Sequence, residues 1–372
     1  MDRKTIPAEA AMADGRPFVG MEHVDPATGA IGSGAGSRTG EGKGQAFLFD
    51  ERHVLFGKLR PYLRKIALPE IKGCSSTELV PLLPNPKRLD RAYLFHWVRR
   101  DPVIAALMGK NIGARMPRAD MSVLMDMSIP LPPLEDQRRI VAVLDRAAAI
   151  RRRADAARTQ ARALIPALFL DMFGDPATNP KGWDTTTIDT LAAYTRYGPR
   201  FPDRPYSDTG AHILRTSDMG FDGSLRWQDS PILPATADEI SKYQLLKGTI
   251  LITRTGATIG KVALFKGSDR PCIAGAYLIE LGLREDVRAE FVVQLLMSSY
   301  GQNCLVRGSR AVAQPNINAP TIRAISVPLP PLPFQTAFAE QAARIEAGAR
   351  ALDAAAAKAE ALAAALSAEV FG

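Results

Sequence analysis

At 372 residues, 46% hydrophobic and 23% charged, the chain is long enough for two globular domains with cores of their own, and its formal net charge of +8 suits a polyanionic partner. Cys74, Cys272 and Cys304 and the histidines at 23, 53, 96 and 212 are too scattered for a disulfide framework or a metal cluster, so neither metal nor cofactor is expected. No apolar stretch follows Arg3 and Lys4, and runs such as 291–297 are too short to cross a bilayer, so a cytoplasmic protein without a membrane partner is expected.

Residues 1–133 carry short β-branched and aromatic runs between Gly, Pro, Asn and Asp, the pattern of short strands and turns. Strands are predicted at Phe18–Met21, Val54–Phe56, Lys65–Leu68 and Leu79–Leu83, and a helix at Asp90–Arg99. A proline cluster, Ile-Pro-Leu-Pro-Pro-Leu-Glu-Asp-Gln at 129–137, closes this region. Over 134–174 the period becomes helical, through Ile140, Leu144, Ala147, Ala154, Ala161, Ile165 and Leu168, with arginines at two intervening positions and Pro166 expected to kink or weaken the helix. Residues 175–331 return to strands at Ile213–Arg215, Thr249–Thr253, Lys261–Phe265 and Tyr277–Leu281, with a helix at Ala289–Ser298. Over 332–372 Phe338, Ala342, Ile345, Ala349, Leu352, Ala356, Ala359, Ala363, Leu366 and Val370 alternate steps of four and three, a sustained heptad pattern.

The two halves are copies. Val-Pro-Leu-Pro-Pro-Leu-Pro-Phe-Gln at 327–335 repeats the cluster at 129–137 with an offset of 198, which also carries Pro117 onto Pro315, Cys74 onto Cys272 and Phe173-Gly174 onto Phe371-Gly372. An offset of 196 places Val54–Lys58 on Ile250–Arg254 and Lys65–Leu68 on Lys261–Leu264. A period this long means tandem domains rather than a solenoid. The fold class is therefore α+β: two tandem α/β domains, each followed by a long helix, the two helices pairing as an antiparallel coiled coil because neither buries its stripe alone. About 35 residues at 1.5 Å each make a rod of roughly 50 Å, the length of about 15 base pairs of DNA. The copies differ at their starts. Residues 181–218 lead into His-Ile-Leu-Arg-Thr-Ser-Asp, whereas only 17 residues precede Phe18, so the opening strand and helix are expected to be missing from the first domain.

In this order and duplicated, Ile-Pro-Leu-Pro-Pro-Leu-Glu-Asp-Gln-Arg-Arg-Ile (129–140), Val-Leu-Phe-Gly-Lys-Leu-Arg-Pro-Tyr-Leu-Arg-Lys-Ile (54–66) and Gln-Pro-Asn-Ile-Asn (314–318) resemble the specificity (S) subunit of a type I restriction–modification system over nearly the whole chain. The resemblance implies target-recognition domains at 1–133 and 175–331 and conserved helical spacers at 134–174 and 332–372. It implies that each recognition domain reads half of a bipartite sequence in double-stranded DNA. The helices would set the gap and dock two methyltransferase (M) subunits, a restriction (R) subunit can join, and the S subunit itself carries out no reaction.

Candidate DNA contacts follow from residue type. In 252–261 two strands flank a Gly/Thr loop with Arg254, Thr255 and Lys261, suited to phosphates or base edges; the bland reading is a hairpin turn. Lys58, Arg60, Arg64 and Lys65 are the equivalents in the first domain, with a solvated surface as the alternative. Arg115 and Arg118, and Arg307, Arg310, Gln314, Asn316 and Asn318, lie in polar loops ahead of each proline cluster, where Asn and Gln suit adenine and Arg suits guanine, against ordinary turn and capping chemistry. Arg215 and Thr216 end a predicted strand with the same ambiguity. The run Arg151–Arg153 reads as a solvated helix face. Gly256 to Lys261 has three residues between its glycines where a phosphate-binding loop needs four, and Val262 follows the lysine, so nucleotide binding is rejected. On the residues alone two further functions stay open: a self-contained nuclease or methyltransferase, for which Asp50 ahead of Glu70-Ile71-Lys72 is a faint signal, and a coiled-coil adaptor that binds only protein.

Overall fold

A computed structural model of the chain describes residues 1, 4–32, 34–35, 44–109, 116–202, 204–306 and 316–371. It divides into two compact units, Met1–Arg153 with Asp353–Gly372, and Ala154–Leu352. No helix among the described residues is long and apolar enough to cross a membrane.

The first unit begins with β1 (Thr5–Pro7) and α1 (Ala8–Ala13), followed by β2 (Phe18–Val19), β3 (Gln45–Phe49), β4 (Val54–Gly57), β5 (Ile66–Ala67), β6 (Gly73–Ser76) and β7 (Leu79–Leu82). One sheet has the order β1-β3-β6-β2, in which β2 runs parallel to β6 with Phe18 opposite Cys74. A second, antiparallel sheet has the order β5-β4-β7. Helices α2 (Arg91–Val98), α3 (Asp101–Met108) and α4 (Met121–Asp126) cover it. Their buried faces join Val54, Phe56 and Ile66 to Tyr93, Val98, Leu107 and Leu124 in one core. Each such side chain contributes about 1.5–3 kcal/mol through burial. The Asp90 carboxylate caps α2 by accepting from the N–H groups of Ala92 (2.8 Å) and Tyr93 (3.2 Å). The long helix α5 (Leu134–Phe173) starts in this unit.

The second unit contains β8 (Thr185–Thr187), α6 (Ile188–Leu191), β9 (Ala192–Tyr197), β10 (Ala211–Leu214), β11 (Ile232–Leu233), α7 (Ala237–Tyr243), β12 (Ile250–Thr253), β13 (Val262–Leu264), β14 (Cys272–Ala274) and β15 (Leu278–Leu283). After these come α8 (Ala289–Met297), α9 (Ser299–Val306), α10 (Ala319–Arg323), β16 (Ser326–Pro328) and the start of α11 (Leu332–Phe371). Its sheets are β11-β10-β14, β13-β12-β15-β9 and β16-β8. The duplication is visible strand by strand: β10 pairs in parallel with β14 as β2 does with β6, and β12 lies between β13 and β15 as β4 lies between β5 and β7. The first unit has no fourth strand matching β9 among its described residues. Its opening residues form a strand and a helix after all, but of another kind, since β1 pairs with β3.

The long helices pack antiparallel. In the first unit Ile140 and Leu144, near the start of α5, share a core with Leu366, Val370 and Phe371 at the end of α11. In the second, Phe169 and Phe173 at the end of α5 meet Phe338 near the start of α11, with ring centroids 5.8 and 5.5 Å apart. Nine of the ten predicted heptad positions of α11 are buried or half-buried; Leu352, 38% exposed, is the exception. Pro166 lies inside α5, which runs without a break from Leu134 to Phe173. One missing hydrogen bond is offset where Ile165, Leu168 and Phe169 pack into the core on either side. Arg151, Arg152 and Arg153 are exposed, and Arg151 pairs with Glu360.

The proline clusters act as joints. In each, a glutamine is buried and bridges two backbone segments. The Gln137 carbonyl accepts from Asp90 N–H (2.8 Å), and its amide donates to the carbonyls of Arg88 and Pro132 (both 2.8 Å). Gln335 accepts from Arg288 N–H (3.0 Å) and donates to Pro330 (2.8 Å). A buried amide is stable only when its donors and acceptor are paired, so each glutamine fixes its domain helix against the start of its long helix.

Candidate nucleic-acid interface

The loop after β12 is closed by its own backbone: Thr253 N–H donates to Lys261 O (2.9 Å) and Gly260 N–H to Thr253 O (3.0 Å). Gly256, at φ 79°, turns the chain where an L side chain is strained. Arg254 is held from both sides, its N–H donating to Tyr277 O (3.0 Å) and its carbonyl accepting from Ile317 N–H (2.8 Å). Its guanidinium lies 4.7 Å from the Tyr197 ring centroid, and its Nε donates to Asn316 Oδ1 (3.3 Å). Thr255 forms a β-bridge with Asn316, and the Tyr197 hydroxyl accepts from Ala319 N–H (2.9 Å). Arg254, Thr255 and Asn316 thus meet on one surface with Tyr197, 40% exposed, and Tyr277, 60% exposed.

The same scaffold recurs in the first unit. Lys58 stands where Arg254 does: its N–H donates to Glu78 O (2.9 Å) and its carbonyl accepts from Ala119 N–H (2.7 Å). Leu59 bridges to Arg118, as Thr255 does to Asn316. The Arg118 guanidinium reaches Glu78 at 3.3 Å and its side chain is 56% exposed. Arg60 sits at φ 50° with a buried Nε that has no hydrogen-bond partner among the described residues, while its N–H donates to Pro117 O (2.7 Å). Arg64, at φ 49°, pairs with Asp101.

Two other candidates, Lys261 and Lys65, are engaged by carbonyls of the fold itself. The ammonium of Lys261, 8% exposed, donates to the carbonyls of Met219 (2.6 Å) and Thr216 (3.1 Å). Lys65 does the same to Val24 O (2.6 Å). In both units the lysine ties the second strand of the hairpin to the 3-10 turn after the first parallel strand, Met21–His23 or Thr216–Asp218. Arg215 pairs with Asp218 at 2.8 Å, which pushes the guanidinium pKa up. The Asn318 carboxamide caps α10, accepting from Thr321 N–H (2.8 Å). Arg115, Arg307, Arg310 and Gln314 lie outside the described residues. Asp50 is held by Arg52 (2.6 Å) and His53 (2.9 Å), and the Arg52 contact keeps its carboxyl below the usual carboxylate range. Tyr197, Tyr277 and the two bridging glutamines were not singled out in the sequence. The exact recurrence of Gln137 and Gln335 at the end of the repeated proline cluster was the available signal for the latter.

Duplicated α+β units, each presenting a cation at one scaffold position and joined through paired long helices, define a tandem recognition protein. The family model described as the type I restriction modification DNA specificity domain matches residues 3–153 and 180–347, and the chain belongs to that family. It is 26% identical over 297 residues to the type I restriction enzyme MjaVIII specificity subunit of Methanocaldococcus jannaschii, covering 74% of this chain and 68% of that one. A shorter match, 27% over 88 residues, links it to the EcoDI specificity subunit of Escherichia coli, covering 24% of this chain and 19% of that one. Its fold is shared with the crystal structure of the type I restriction–modification system S subunit from M. genitalium (TM-score 0.62, 11% identity, 96% and 88% coverage). It is also shared with a chain from a structural study of complex assembly and conformational transition of the type I system (TM-score 0.55, 21% identity, 99% and 97% coverage).

Proposed function

We propose that the chain is the address-reading subunit of a type I restriction–modification complex, in which each unit reads one half of a bipartite duplex sequence. The observation that carries this is the equivalence of Lys58 and Arg254: both directly follow the central strand of a hairpin, both are pinned through their own N–H and carbonyl, and both are half-buried cations. A rigid backbone under a long cationic side chain is what groove readout needs. Arg254, Thr255 and Asn316 in one unit, and Lys58 and Arg118 in the other, are the proposed contacts. Lys65 and Lys261 hold the loops in place. The helices α5 and α11 fix the gap between the half-sites and offer their exposed faces to two methyltransferase subunits, and a restriction subunit joins the same assembly. The chain itself catalyses nothing, and its place of action is the cytoplasm.

The test is reconstitution with a methyltransferase subunit, followed by footprinting on random duplex fragments at increasing salt. The expected result is a stable complex protecting two separated patches, with affinity falling steeply with salt. A chain that binds no methyltransferase at micromolar concentration, or shows no salt-dependent DNA retention, contradicts the proposal. Nuclease or methyl-transfer activity of the chain by itself would move it to an enzyme class.

A further inference from the structure

The first unit holds an apolar groove of about 200 Å³, lined in part by Met1 of the same chain, whose walls include Leu94, Trp97, Val98, Leu124, Met127 and Ile129. The internal repeat says what belongs in such a groove. Adding 198 to these positions gives Val292, Leu295, Leu296, Ile322, Ile325 and Val327, all buried in the second unit's core together with Ile188 and Leu191 of α6. There β8 pairs antiparallel with β16, placing Thr187 opposite Ser326 and Thr185 opposite Pro328. Ile188 N–H donates to Ile325 O (2.9 Å), Leu329 N–H to Asp184 O (2.7 Å), and Asp189 pairs with Arg323 (2.9 Å). In the first unit the counterparts of those backbone groups, the Met127 carbonyl and the Leu131 N–H, have no hydrogen-bond partner among the described residues. The strand that would receive β8, Ser-Ile-Pro at 128–130, matches Ser-Val-Pro at 326–328.

The neighbouring sheet edge limits the occupant's length. In β15 the residues facing β9 include Leu278, whose carbonyl accepts from Gly198 N–H (3.1 Å), and Glu280, which lies opposite Arg196. In β7 Glu78 bonds towards β4, so Leu79 and Pro81 face outward, and Pro81 stands where Glu280 does. A proline there offers no donor to a fourth strand and blunts the edge. The groove is therefore matched to a strand and one helical turn, without the strand that follows.

We propose that this groove docks a segment of a partner polypeptide with the chemistry of Thr185–Leu191: three extended β-prone residues, then a turn carrying two aliphatic side chains three positions apart. The strand adds to 128–130, its N–H and carbonyl groups meet Met127 and Leu131, and the aliphatic pair fills the cavity.

The probe is a fluorescein-labelled peptide of sequence 183–191, titrated with the full chain and read by fluorescence polarisation. Saturable binding on the order of 10 μM is expected, the range for a short strand with two anchors. The peptide carrying I188S and L191S should bind at least about tenfold more weakly. Met125 locates the event: it is 53% exposed, lines the groove and is the counterpart of Arg323. Met125→Arg should tighten binding of the Asp189-containing peptide severalfold, and Met125→Glu should weaken it. An absence of saturation up to millimolar protein, or affinity indifferent to both the peptide and the Met125 substitutions, overturns the proposal.

Discussion

Replacing Lys261 with methionine separates a lysine that reads DNA from one that builds the reader. Methionine keeps the length and apolar stem of the side chain and removes only the ammonium. The carbonyls of Met219 and Thr216 then lose donors at 2.6 and 3.1 Å at a site 8% exposed. Charge-assisted hydrogen bonds contribute about 1.5–3 kcal/mol each. Relief from keeping a charge away from water offsets part of that loss, leaving a destabilisation of about 2–4 kcal/mol. For a unit of this size that is a fall in Tm of about 5–12 °C. Calorimetry on the full chain should show the second unit's transition moved down by that amount. DNA titrations at several salt concentrations, run well below that transition, should keep the slope of log affinity against log salt. An unchanged Tm together with a slope reduced by about one would mean that the ammonium meets a phosphate, and the reasoning would be wrong.

Arg254→Ala should give the opposite pattern, a Tm within about 1 °C of wild type and a salt slope smaller by about one or a loss of about 1–3 kcal/mol at a single base position; equal affinity for the target and its variants would count against its role. Gln335→Ala should destabilise the second unit by about 2–4 kcal/mol, since Arg288 N–H and Pro330 C=O are left unpaired beside a new cavity, and a urea midpoint indistinguishable from wild type would contradict this. Hydrogen bonding from Arg204 pulls the Glu239 carboxyl down from its ordinary 4.5 to about 2. Because the unfolded chain takes up that proton first as pH falls, the stability this group contributes is present above 4.5 and is lost on the way down to about 2. Glu239→Gln should flatten the urea midpoint against pH across that window, and parallel curves for the two proteins would refute the assignment.

The helices were legible because their signal is long. Ten heptad positions from Phe338 to Val370 average out any single residue, and only Leu352 leaves the seam. The main strands of each hairpin were legible because Val54–Phe56 and Thr249–Thr253 are dense in β-branched or large apolar residues. The strand β6, Gly-Cys-Ser-Ser, was not, because nothing in its composition favours a strand and only its neighbours β2 and β3 make it one. At the interface, residue type and loop position pointed to Arg254 and Lys58 and equally to Lys261 and Lys65. What distinguishes them is the direction of each ammonium or guanidinium relative to carbonyls more than 40 residues away, and no pattern in the chain encodes that. The duplication held the missing clue, because the lysines recur at an offset of 196 and the turns that they bind at 195.

The most direct measurement is to map the methylated sequence in DNA from cells carrying this chain with its methyltransferase partner, in wild type and with Arg254→Ala. Two half-sites at a fixed gap, with degeneracy confined to one half in the variant, is the predicted result. A single continuous motif, or changes in both halves from that one substitution, would contradict the claim that each unit reads its own half.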